Sequence, residues 1–109
     1  LLHEGTWKWR IQDGTQFDTV SNSGGATDTR LHIAVTYDGS TARMYLNGVA
    51  QTSTQSTAAP TTGGSGAFLI GQLGSNFYPL TGFIDELRVY DHALSQSEID
   101  RIRIRARAR

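Results

Sequence analysis

Asp85 and Glu86 are the first residues to test for chemistry. Glycoside hydrolysis takes two carboxylates facing one sugar ring, roughly 5–9 Å apart. The run Phe83–Tyr90 alternates as a strand, and adjacent strand residues point to opposite faces. Asp85 and Glu86 therefore cannot form that pair, and no other two acids share a predicted strand at even spacing. Nucleophilic catalysis fares no better, because no serine sits in a Gly-x-Ser-x-Gly elbow. The nearest string, Gly63-Gly64-Ser65-Gly66, lies in a low-complexity stretch. His3, His32 and His92 are scattered and show no metal-ligand spacing. The absence of cysteine excludes disulfides and thiolate metal sites. The chain reads as a non-enzyme.

Asp85 remains the sharpest single residue. One predicted face carries Phe83, Asp85, Leu87 and Val89, and a lone carboxylate on an apolar face needs a partner. It can accept backbone N–H groups from a neighbouring turn, which is the favoured reading. The alternative is calcium, which takes six to eight oxygens; Asp38, Asp13 and Asn76 are the other candidate donors, although no local calcium-loop pattern is present. Sugar binding needs an exposed ring for stacking beside polar groups for hydroxyls. Phe77 and Tyr78 beside Asn76 fit that need, as does Tyr90 on the polar face of its strand. Trp7 and Trp9 share a face with Ile11 and read as core.

These residues need a scaffold of strands. Leu31, Ile33, Val35 and Tyr37 alternate with His32, Ala34 and Thr36. Asp38-Gly39 and Asn47-Gly48 interrupt the pattern, and both pairs suit type I′ hairpin turns. An antiparallel meander over residues 31–53 follows. Upstream, residues 6–12 and 16–21 read as strands joined at Asp13-Gly14. Downstream come a Thr/Ser/Gly-rich loop over 54–66, a short strand over 67–71, a loop over 73–81 and a long strand over 83–90. Ser95 with Glu98 forms a capping box, and Leu94 with Ile99 a hydrophobic staple. The predicted helix runs from Gln96 to about Ile102.

The 109 residues indicate one domain, over 1–100, followed by an arginine-rich tail over 101–109. The formal net charge is zero, but five of the ten basic residues lie in that tail. The body sets the other five against ten acids, a net charge of −5. Aromatic residues do not interleave with the tail arginines, which disfavours single-stranded nucleic-acid binding. The tail reads instead as incidental, as a shifted reading frame at the gene's end, or as a strand pairing with a sheet edge. No apolar run approaches the ~20 residues of a membrane span. No charged start followed by an apolar run marks a signal peptide, and Leu1 in place of Met reads as the start of an excised piece.

Three ordered motifs resemble the laminin-G-like, concanavalin A-like lectin/glucanase family. They are His32-Ile33-Ala34-Val35-Thr36-Tyr37-Asp38-Gly39, then Tyr45-Leu46-Asn47-Gly48, then Gly82-Phe83-Ile84-Asp85-Glu86-Leu87-Arg88-Val89-Tyr90 with Ala93-Leu94-Ser95 and Glu98-Ile99. The resemblance covers roughly residues 5–100. It implies an all-β, antiparallel jelly-roll-like β-sandwich, here truncated, with a short C-terminal helix. It further implies a non-catalytic carbohydrate-binding or adhesion module, extracellular or at the cell surface, whose partner is a glycan or a cell-surface ligand. Many members hold a structural calcium ion. The alternative is a protein-interaction or self-assembly module, with a remnant glycoside hydrolase third.

Two departures stand out. Arg30 occupies the position where members often carry Trp, and the family domain usually has further strands ahead of this segment. A sandwich lacking strands exposes apolar faces and open edges, so a homo-oligomer is expected, most simply a two-fold dimer.

Overall fold

The computed structural model describes residues 2–3, 7–13, 15–20, 30–39, 41–51, 55–56, 69–71 and 81–107. These form two small antiparallel sheets and one helix. The first sheet joins β1 (Leu2–His3), β2 (Trp7–Asp13) and β3 (Thr15–Val20) in that order. β2 and β3 pair from Lys8↔Val20 to Asp13↔Thr15.

The second sheet is the predicted meander. β4 (Ile33–Tyr37) pairs with β5 (Thr41–Leu46), and β6 (Val49–Ala50) and β7 (Gln55–Ser56) share the other edge of β5. The register sets Ile33 against Leu46, Val35 against Met44 and Tyr37 against Ala42. Ala42, Met44 and Leu46 are buried, so the apolar face predicted for β4 meets a matching face on β5. β3 passes close to β5 and β7, which brings the two sheets together.

The two meander turns differ. Asn47 and Gly48 both take left-handed backbone angles, φ 50° and 80°, as a type I′ turn requires. At the other turn Gly39 does, at φ 100°, and Asp38 does not. The turn therefore centres one residue later than Asp38-Gly39. The Asp38 N–H donates to the Thr41 carbonyl, and Asp38 Oδ1 accepts the Thr41 N–H at 2.8 Å. Asp38 acts through its side chain, an Asx-type device, and not through its own φ.

Helix α1 spans Gln96–Arg107. Its start matches the capping box: the Glu98 N–H donates to Ser95 Oγ at 3.3 Å, and Glu98 Oε1 accepts the Ser95 N–H at 3.2 Å. Ile99 is buried and Leu94 half-buried, as a staple needs. The end lies five residues beyond the expected Ile102. Strand-like alternation in the Arg-Ile run is overridden because arginine and alanine are good helix formers, and extending a nucleated helix adds a hydrogen bond per residue. Residues 101–107 thus continue the helix and do not pair as a strand.

The larger correction concerns 83–90. This expected last strand forms no ladder with any described residue. Glu86 takes φ 56°, which costs an L-residue about 1–2 kcal/mol and interrupts the extended backbone. Alternation alone does not make a strand; the backbone N–H and C=O groups need a neighbour to pair with. Residues 69–71 of the expected 67–71 strand also carry no ladder, and residues 67–68 lie outside the described set.

Candidate functional site

The same extended segment carries the candidate site. Glu86, Arg88, Tyr90 and His92 fall at alternate positions along it. The Arg88 Nη2 donates to Glu86 Oε2 at 3.1 Å. A hydrogen bond with Tyr90 and this one with Glu86 raise the already high pKa of the guanidinium. The Tyr90 ring meets the His92 ring edge-on, with centroids 6.3 Å apart and planes at 72°. His92 Nδ1 lies 2.9 Å from Asp91 Oδ1, and its Nε2 lies 3.8 Å from Glu98 Oε2. The hydrogen bond to Asp91 raises the imidazole pKa above its ordinary value, and the same bond lowers that of Asp91. Glu98 is also held low, first by the Ser95 N–H and hydroxyl.

The result is an open strip in which two exposed rings stand among one guanidinium and three carboxylates. Its composition suits a hydroxyl-rich ligand: a ring face can stack on a sugar, and the flanking ions can bind its hydroxyls. Tyr90 was a predicted site residue. The alternation sets Glu86 and Arg88 on the face of Tyr90 without marking them as site residues, and His92 lies beyond that run.

A second polar cluster sits where α1 meets the Asn47-Gly48 turn. The Asn47 N–H donates to the His32 carbonyl at 2.8 Å, and Asn47 Oδ1 accepts the His32 N–H at 2.9 Å, extending the β4–β5 pairing by one residue. Gln96 Nε2 donates to the Gly48 carbonyl at 2.7 Å and reaches Asp100 Oδ1 at 3.3 Å. A Cβ at Gly48 would come within 2.7 Å of both Asp100 Oδ1 and Arg103 Nε. Gln96, Asp100 and Arg103 share one helix face, so the turn and the helix are fitted to each other. Burial, then the nearby Arg103 charge, lower the His32 pKa. His32 Nδ1 and Arg103 Nε are buried without a hydrogen-bond partner among the described residues. This cluster ties the helix to the turn.

The profile of the concanavalin A-like lectin/glucanases superfamily matches residues 1–100. The chain belongs to this superfamily. No curated protein matches it by sequence. Among solved structures, it is similar to an S-layer domain-containing protein from Clostridium thermocellum, crystallised as residues 221–444. The two share 28% identity with a TM-score of 0.62, over 92% of this chain and 52% of the other. The lectin/glucanase-like chain thus spans about half the length of the crystallised protein.

The family's calcium was tested against the residues present. Asp85 is exposed, and its Oδ1 accepts the N–H of the next residue, Glu86, at 2.8 Å. Asp38 binds the Thr41 N–H through Oδ1 and Arg43 Nη1 through Oδ2. Among the described residues, no group of three or more His, Asp or Glu side chains is arranged to hold a metal ion. These residues do not assemble the oxygen cage that calcium takes. Asn76, Phe77 and Tyr78 lie outside the described set, as does the Asp13 side chain. Trp7 is half-buried. Among the described residues, no helix is long and apolar enough to cross a membrane.

Proposed function

We propose that this lectin/glucanase-like domain is a non-catalytic carbohydrate-binding or adhesion module of a cell-surface protein. The observation that carries this reading is the exposed Tyr90–His92 ring pair flanked by Arg88, Glu86 and Asp91. The family supports a saccharide as ligand, and the similarity to an S-layer domain-containing protein supports a surface location. Tyr90 supplies the stacking face, Arg88 donates to ring or hydroxyl oxygens, and Asp91 and Glu86 accept from hydroxyls.

Binding to immobilised cell-wall polysaccharides and oligosaccharides tests it, with Tyr90→Ala alongside. Wild-type protein binds at least one glycan, and Tyr90→Ala weakens that binding about tenfold or more without lowering the melting temperature. Equal binding by the variant contradicts the assignment of the strip. Release of new reducing ends from a bound glucan contradicts the non-catalytic reading.

A protein-interaction role is the second reading. Phe83, Leu87 and Val89 are strongly exposed on the segment that carries the strip. Such a contiguous apolar run on a surface marks a contact region.

A further inference from the structure

We propose that the outer face of α1, at Arg101 and Arg105, is an anion subsite continuous with the Tyr90–His92 strip, and that the ligand of the two together is an acidic polysaccharide bearing carboxylates or phosphates. The inference rests on the sugar-binding reading above and names the class of glycan.

Helical spacing defines the subsite. Ser97, Arg101, Ile104 and Arg105 stand at i, i+4, i+7 and i+8, which is one face of a helix. All four are exposed, Ile104 at 58%. The opposite face holds the buried Ile99 and the row of Gln96, Asp100 and Arg103 that meets the Gly48 turn. Glu98, at i−3, is the acid placed to neutralise Arg101. Its carboxylate instead accepts the Ser95 N–H and lies towards His92. Arg101 and Arg105 form no ion pair among the described residues, and like charges at i and i+4 repel. The helix macrodipole favours a cation in the last turn, which covers Arg105 but not Arg101, six residues before the helix ends at Arg107.

Glu98 joins this face to the strip. It shares the face with Arg101 and Arg105 at i, i+3 and i+7, and its Oε2 lies 3.8 Å from His92 Nε2. Arg101 and Arg105 follow it at about 4.5 and 10.5 Å along the helix axis. Within the strip, Glu86 meets Arg88, and Asp91 and Glu98 meet His92. The helix face adds guanidinium groups alone, so the unbalanced charge is positive. Its complement is an acidic group on the ligand, since a guanidinium binds carboxylate or phosphate through paired, charge-assisted hydrogen bonds.

Binding of the full chain to matched polymers tests the subsite. Polygalacturonate supplies carboxylates, its methyl ester is the same backbone without charge, phosphomannan supplies phosphates, and inorganic polyphosphate supplies charge without sugar. Wild-type protein binds polygalacturonate or phosphomannan about tenfold or more tighter than the methyl ester, and added salt reduces that preference. Arg101→Gln/Arg105→Gln abolishes the preference and leaves the melting temperature and helical circular dichroism near wild type, because glutamine is as good a helix former. Arg101→Lys/Arg105→Lys keeps most of it. Arg43→Gln, in the meander, changes it less than about twofold.

The relative response to phosphomannan and polygalacturonate distinguishes phosphate from carboxylate. Equal binding to polygalacturonate and its ester, with phosphomannan no tighter, overturns the inference while leaving the sugar reading intact. An acidic preference that survives the double glutamine variant overturns it as well. Polyphosphate binding as tight as that of either acidic polysaccharide shows that charge alone suffices and removes the polysaccharide as occupant. Acidic binding that depends on Arg101 and Arg105 but is unchanged in Tyr90→Ala contradicts the strip and leaves the anion subsite standing.

Discussion

The helix–turn joint and the 83–92 segment are both built from polar groups gathered around a ring, and they behave in opposite ways. At the joint, Asn47 and Gly48 adopt angles that few residue pairs accept, and Gln96 donates into the turn. The Gly48 side is filled by Asp100 and Arg103. In the 83–92 segment hydrogen bonds join near neighbours in sequence, most side chains face solvent, and the backbone joins no sheet among the described residues. Local devices suffice to build a turn and start a helix. A strand needs a neighbour to complete it, and the exposure of Arg88, Tyr90 and His92 makes this segment the part of the described molecule able to meet a ligand.

The contrast breaks most visibly at Gly48. Gly48→Val forces a β-branched residue into φ 80° and drives its Cβ onto Asp100 and Arg103. A loss of about 2–4 kcal/mol is expected, read as a lower urea midpoint with unchanged slope. An unchanged midpoint would show that the helix does not seat on the turn.

Ser95→Ala removes the capping hydroxyl that accepts the Glu98 N–H. It costs about 1 kcal/mol, with a matching loss of helical circular dichroism on heating. Ser97→Ala, two positions further on, serves as the control and changes stability by a few tenths of a kcal/mol at most, since alanine is the better helix former.

The two histidines sharpen the comparison through pH. The His32 pKa is lowered by burial, so the unfolded chain takes up that proton first. Its contribution is complete above about pH 6.5 and is lost as pH falls through the lowered folded value. The His92 pKa is raised by its bond to Asp91, so its contribution is complete below about pH 6.5 and lost as pH rises through the raised folded value. Proton NMR should show His32 titrating below His92, and coincident midpoints would erase the distinction between closed joint and open strip.

The smallest effect is expected from calcium. Because the described carboxylates are engaged with backbone N–H groups, Arg88, Arg43 and His92, millimolar calcium should leave the melting temperature unchanged relative to chelator. A clear stabilisation would place a cage around donors such as Asn76 or Asp13.

Much of this was legible in the residues themselves. Alternation over 33–37 located a core face, Asn47-Gly48 a type I′ turn, and Ser95 with Glu98 a helix start, because each signal is satisfied within a few residues. The one-residue shift at Asp38 was hidden because aspartate can serve a turn either by its own φ or through its carboxylate. The helix continued past Ile102 because propagation from a good cap outweighs a short run of alternation. Residues 83–90 misled most. Their pattern describes what the segment can pair with, not whether a partner is alongside. At the site, the alternation that sets Glu86, Arg88 and Tyr90 on one face was legible, whereas the contacts of His92 with Tyr90, Asp91 and Glu98 bring in residues beyond that run.

The most direct test of the contrast is hydrogen exchange by mass spectrometry at low and high protein concentration. Amides of 41–46 and 99–104 should be protected at both, while those of 83–91 exchange more rapidly than either at both. Protection of 83–91 in dilute protein equal to that of 41–46 would contradict the account, because the segment would then be closed within a single chain.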